Sequence, residues 1–127
     1  MSENAKCDSR AVGRFGESEV EKFLNRKGFV TICRNFSCKW GEIDLIMKDK
    51  SYLVFVEVRT RNNSKFIMPE FTVDKWKQKK IIKTALLFLK NPRWQNRFFR
   101  FDVVGVVGDE FHHIENAFEM SYSQYWF

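Results

Sequence analysis

Gly41-Glu42-Ile43-Asp44-Leu45-Ile46-Met47, Lys48-Asp49-Lys50-Ser51 and Tyr52-Leu53-Val54-Phe55-Val56-Glu57-Val58-Arg59-Thr60-Arg61 follow one another without interruption. Two runs rich in β-formers around four turn-type residues read as a β-hairpin. Side chains alternate along a strand, so Ile43, Leu45 and Met47 are expected on one face and Glu42, Asp44 and Ile46 on the other. On the second run Val54, Val56 and Val58 point one way, and Leu53, Phe55, Glu57 and Arg59 the other. With the loop taken as Asp49 to Tyr52, pairing Lys48 with Leu53 brings Asp44 opposite Glu57. Any even loop keeps the two acids on one face, and an odd loop would separate them.

Two carboxylates directly opposite in a sheet repel by roughly 0.2 to 1 kcal/mol, and a divalent cation would compensate. Mg²⁺ prefers carboxylate oxygens and keeps several waters, which leaves positions open to a substrate phosphate. Arg59, two residues past the second acid, falls on the same face. Asp followed by Glu-x-Arg across a hairpin is therefore a candidate metal-dependent phosphodiesterase core. The plainer reading, in which Asp44 and Arg59 form a surface ion pair on a solvated sheet face, stays open.

Working outward, 127 residues support one compact domain with an ordinary core. A hydrophobic content of 44%, with 14 Phe, excludes a disordered chain. Lys and Arg outnumber Asp and Glu by 22 to 16, so the net charge of +6 favours a polyanionic partner. No run approaches the roughly 18 apolar residues of a membrane span. The segment Met1-Ser2-Glu3-Asn4-Ala5-Lys6 lacks the apolar core of a signal peptide, so the expectation is a cytoplasmic protein with no membrane partner. Cys7, Cys33 and Cys38 are odd in number and loosely spaced, which argues against a disulfide framework. Cys33 and Cys38 with His112 and His113 form no paired Cys-x-x-Cys knuckle, which argues against zinc.

Residues 1–10 are polar and expected to fray. From Ala11 to Lys27, Val20, Phe23 and Leu24 recur at helical spacing and Gly28 closes the pattern. Glu17 falls roughly 70 degrees from that stripe, against roughly 90 to 110 degrees for Glu19 and Glu21, so Glu17 is the acid best placed to join a site at the helix border. Acids near a helix N-terminus are also expected for dipole reasons alone. Phe29 to Arg34 reads as a strand, and Asn35 to Trp40 as a basic, aromatic loop. There Arg34, Phe36, Lys39 and Trp40 could meet a nucleic-acid backbone or stack on a base, or Trp40 could cover the core edge.

Asn62 to Thr72, with Pro69, suits a surface loop. A helix follows with Asp74 as N-cap and an apolar face of Trp76, Ile81, Ile82, Ala85, Leu86 and Leu89, ended by Asn91-Pro92. Lys75, Lys77, Lys79, Lys80 and Lys83 line its early turns as an ordinary solvated face or as a phosphate grip. Phe101 to Val107 reads as a buried strand reached by a crossover, Gly108-Asp109 as a turn and Phe111 to Glu115 as a last strand. The aromatic tail Ala117 to Phe127 either packs back or offers a dimer surface. The order is helix, three strands, helix, strand and a final strand, an α/β chain with a mixed sheet flanked by helices.

Gly16-Glu17, Arg34-Asn35, Gly41 to Ile46, Phe55 to Arg61, Val73 through Lys77 to Ala85, Arg100-Phe101-Asp102-Val103-Val104 and Ile114-Glu115-Asn116-Ala117-Phe118 together resemble the YraN-type family of uncharacterised bacterial proteins. The likeness runs in order from about Gly13 to Phe118. That family is similar to the archaeal Holliday-junction resolvases and the wider PD-(D/E)XK nucleases, so the resemblance implies a restriction-endonuclease-like core. Carried over by motif, Glu17 matches the helix acid, Asp44 and Glu57 the metal ligands, Arg59 the catalytic lysine position, and Lys77 a basic helix position. The resemblance implies a Mg²⁺- or Mn²⁺-dependent DNA endonuclease, a hydrolase of phosphodiester bonds in branched or repair intermediates, with no organic cofactor. Arg61, Lys77, Lys79 and Lys80 would hold the nucleic acid, and cleavage of a two-fold junction would call for a homodimer.

One departure matters. Arginine stays protonated where lysine can exchange a proton, so Arg59 offers only a fixed charge and hydrogen bonds. The alternative is therefore a non-catalytic nucleic-acid-binding module on a decayed nuclease fold.

Overall fold

The apolar alternation of Gly41 to Arg61 is realised as the centre of a sheet. The structure, a computed structural model, describes residues 5–8, 15–61 and 73–120. In chain order these form α1 (Phe15–Arg26), β1 (Val30–Cys38), β2 (Gly41–Asp49), β3 (Tyr52–Arg61), α2 (Lys75–Phe88), a 3₁₀ turn (Pro92–Trp94), β4 (Phe98–Val107) and β5 (Glu110–Phe118). The five strands lie in the order β1-β2-β3-β4-β5. β3 and β4 are parallel and the other neighbours antiparallel, so the sheet is mixed. Antiparallel neighbours are joined by short turns, whereas the parallel pair needs the longer crossover that carries α2.

Each face is covered by one helix. Val20 and Leu24 of α1 pack with Leu45, Met47, Val54, Val56, Val104 and Val106. Ile81, Ile82, Ala85 and Phe88 of α2 pack on the opposite face with Ile46, Leu53, Phe55, Phe101 and Val103. Covering both faces explains why β2 reads as a nearly unbroken apolar run. Ile43 departs from the expected alternation. It joins Phe36 in the α2-side core rather than Leu45 and Met47.

The helix ends follow the sequence. Phe29 N–H donates to the Leu24 carbonyl and Gly28 N–H to that of Asn25, a Schellman stop that Gly28 permits with φ +99°. The Asp74 side chain caps α2 by accepting from Lys77 N–H at 2.8 Å. No described helix is long and apolar enough to cross a membrane.

Several expectations are corrected. Asn35 to Cys38 continue β1 rather than forming a loop, because Asn35 takes up a left-handed φ of 51° while the ladder to β2 carries on at Phe36 opposite Ile43. Residues 5–8 are not frayed: Lys6 and Ser37 exchange backbone hydrogen bonds, and Ala5 is buried. Cys7 and Cys33 are joined by a disulfide, against the expectation drawn from the odd number and loose spacing of the cysteines. The local pattern missed it because only the pairing of this N-terminal segment with β1 brings the two sulfurs together. Phe36 is buried against Phe88, with ring centroids 5.1 Å apart, and is not available to a base. Trp76 lies outside the apolar face of α2. β5 extends to Phe118, past the expected end at Glu115, and Phe118 stacks on Phe101. The loop Asn62 to Thr72 and the tail beyond Met120 lie outside the described residues.

Candidate functional site

Lys48 lies opposite Leu53 and Asp49 opposite Tyr52, so the hairpin loop is even. The ladder runs to Leu45 opposite Val56 and ends there, with Asp44 and Glu57 the next residues on each strand. There the Val58 N–H turns to a side chain and donates to Asp44 Oδ2 at 2.8 Å. A backbone donor thus fixes the orientation of a buried carboxyl at the point where the two strands part.

Asp44 and Glu57 are both buried, on the α2 side of the sheet. Burial, then the adjacent Glu57 charge, push the Asp44 carboxyl up to about 8; the Val58 N–H opposes this, while Glu17 and a hydrogen bond shared with Glu57 add to it. Two buried acids this close cannot both ionise cheaply, and it is Asp44 that keeps its proton.

Glu57 is held by two cations. Lys77 Nζ lies 3.0 Å from Glu57 Oε2, and the Arg59 guanidinium reaches the same oxygen at 3.3 Å. Lys77 arrives there because the Asp74 cap sets the first turn of α2. Its ammonium thus lies against the acid pair.

Glu17 is buried in the first turn of α1, and its charge is felt at Asp44. Gly16 lets α1 approach the end of β3 closely: a Cβ there would sit 2.7 Å from Thr60 Oγ1. The other helix acids are used differently. Glu21 ties α1 to β1 through Arg34 at 2.9 Å and Thr31 at 2.6 Å, and Glu19 pairs with Lys22. Arg34, a candidate nucleic-acid contact, is thereby engaged in packing.

A cavity of about 440 Å³ opens over the pair, walled by Asp44, Glu57, Lys77 and Lys80 with Trp40 and Trp76. A larger one of about 600 Å³, near Tyr52, Phe98 and Arg100, contains neither acid of the pair. The smaller holds the candidate chemistry, because converging carboxyls and cations meet there. Lys79 and Lys80 are exposed on α2, beside Trp40 and Trp76. The Arg61 side chain lies outside the described residues. Among the described residues, no three His, Cys, Asp or Glu side chains are gathered closely enough to hold a metal by themselves. Two carboxylates completed by water remain the available donor set, and such sparse oxygen sets suit Mg²⁺.

A second polar network was not foreseen. Asp102 is wholly buried and accepts from Arg100 Nε at 3.0 Å, from Asn116 N–H at 3.0 Å and from His113 Nε2 at 2.8 Å. Lys27 Nζ donates to His113 Nδ1 at 2.8 Å, which puts the ring proton on Nε2. Burial alone would raise the Asp102 carboxyl, but the hydrogen bonds from His113 and Arg100 outweigh it and hold Asp102 below its ordinary range. The only local sign was a charged pair, Arg100 and Asp102, at alternate positions of an apolar strand.

Comparison with other proteins agrees with this chain-long pattern. Residues 16–106 match the model of the uncharacterised protein family UPF0102, a span that holds Glu17, Asp44, Glu57, Arg59 and Lys77. A UPF0102 protein of Geotalea daltonii is 39% identical over 127 residues, covering 96% of this chain and 100% of that relative. One from Coxiella burnetii is 43% identical over 116 residues, 90% of this chain and 97% of the relative. Another, from Clostridium botulinum, is 41% identical over 100 residues, 78% of this chain and 81% of the relative. The chain belongs to the UPF0102 family.

Proposed function

We propose that this chain is a metal-dependent phosphodiesterase acting on DNA, built on a restriction-endonuclease-like core. The observation that carries the reading is the buried pair Asp44 and Glu57 lining one cavity, flanked by Lys77 and Arg59. Two buried carboxyls side by side fit a divalent cation, which would displace the Asp44 proton and take oxygen ligands from both acids. Asp44 and Glu57 are the residues that would hold Mg²⁺ or Mn²⁺, with Glu17 assisting through water. When bound, such an ion supplies charge neutralisation and Lewis acidity to a phosphodiester.

The chain's own residues supply the rest. Arg59 is a permanent cation that holds a phosphate oxygen and the charge gathering on it. Lys77 brings a second cation to the same Glu57 oxygen that Arg59 reaches. Val58 N–H keeps Asp44 aimed into the cavity.

Incubating the purified protein with branched, flapped and linear DNA in Mg²⁺ or Mn²⁺ tests this. Cleavage is expected, and Asp44→Asn or Glu57→Gln should each slow it by about 100-fold or more, the equivalent of about 2.7 kcal/mol. Variants that cut like wild type would overturn the assignment. A second reading, a non-catalytic nucleic-acid-binding module, rests on Arg59. Steeply salt-dependent DNA binding without metal uptake or cleavage would favour it.

A further inference from the structure

Trp76 is 69% exposed and Trp40 39% exposed, and both stand at the mouth of the acidic cavity. Exposed aromatic side chains grouped in one patch mark an interaction site more often than single ones do. Here they wall a second cleft of about 360 Å³, completed by Lys39, Lys79, Lys80 and Lys83. The two spaces share Trp40, Trp76 and Lys80, so they lie side by side. Ammonium groups lie over both indoles: Lys39 and Lys83 at 5.0 and 5.9 Å from the Trp40 ring centroid, and Lys80 at 5.4 Å from that of Trp76.

We propose that Trp40 and Trp76 form a stacking clamp for unpaired bases, with the surrounding lysines tracking the phosphates of the same strand. Flat π-faces alternating with cations suit single-stranded nucleic acid, whose bases are free to stack on protein. In a duplex those faces are already stacked on one another and present only edges. An acidic peptide would match the charge but not the indoles. The clamp therefore selects nucleotides that are single-stranded or locally unpaired, as at a flap, a junction arm or a frayed end. This substrate class rests on the phosphodiesterase reading, since the clamp opens towards Asp44 and Glu57.

Fluorescence anisotropy with the full chain in EDTA, where no metal-dependent cleavage occurs, reads the clamp directly. The probes are labelled single strands of about 12 nucleotides, as DNA and as RNA of one sequence, an abasic strand of equal length and a blunt duplex. Poly-glutamate serves as competitor. Trp76→Ala, at an exposed position that leaves the core intact, should weaken single-strand binding by about 5- to 100-fold. Trp76→Phe should restore most of it. The abasic strand should bind wild type about as weakly as the ordinary strand binds Trp76→Ala, and the duplex should be insensitive to the change. Whichever sugar-phosphate chain shows the Trp76 dependence is the source of the bases. Unchanged binding in both Trp76→Ala and Trp40→Ala, or displacement by poly-glutamate as effective as by the strand itself, would overturn the clamp. Because binding is read without metal, that failure leaves the carboxylate chemistry standing, and a lack of cleavage leaves the clamp standing.

Discussion

Asp44 takes its proton from its surroundings rather than from its own chemistry. Its carboxyl is pushed up to about 8 in the fold, chiefly by burial and by Glu57, against about 4 in an unfolded chain. A raised folded value means stability that is fully present below about pH 4 and lost as pH rises through about 8. In EDTA, Asp44→Asn should therefore match wild type near pH 4 and exceed it by about 5 kcal/mol near pH 9. Urea unfolding at the two pH values checks this, and parallel curves would sink it. The convergence of Asp44 and Glu57 was legible because an even hairpin loop preserves side-chain parity. The Val58 N–H that aims Asp44 was not, since it depends on the strands parting. Trp76 was misassigned to the apolar face for an avoidable reason: five residues at 100 degrees each turn it about 140 degrees away from Ile81.

Among the elements, β4 owes its position to more than apolar alternation. Arg100 bonds Asp102 within the strand, reaches Asp49 at the end of β2 at 3.1 Å and approaches Glu115 on β5 at 3.7 Å. One guanidinium thus ties three strands, beside His113 and the end of α1. Arg100→Met should cost about 3–5 kcal/mol, because it strips a buried carboxylate of its main cation. Asp102 is held low, so its contribution is present above about pH 4 and lost on acidification through its lower folded value. A loss under 1 kcal/mol at neutral pH would show that His113 and Asn116 suffice. The strands themselves were legible from β-branched and aromatic runs, but their ends were not. Asn35 carries a turn-like φ inside β1, and local propensity cannot distinguish a kink in a paired strand from a loop.

For the whole molecule, the order of helices and strands was readable from periodicity, and the parallel β3–β4 pair from the long crossover between them. The link between residues 5–8 and β1 was not, because nothing local in a short polar segment reveals its pairing partner. The Cys7–Cys33 bond closes a separation of 26 residues. It should contribute about 3 kcal/mol in oxidising buffer by constraining the unfolded chain. Cys7→Ser should lose that amount, and a reductant should erase the difference between variant and wild type; equal stability in oxidising buffer would contradict the bond. The fold as a whole serves to bring acids from two strands, a cation from α2 and a further acid from α1 to one end of the sheet. Soaking crystals in Mn²⁺ and measuring anomalous density tests that claim most directly. A peak between Asp44 and Glu57, lost in Asp44→Asn, is the expected result; no peak between the two carboxyls at saturating Mn²⁺ would contradict it.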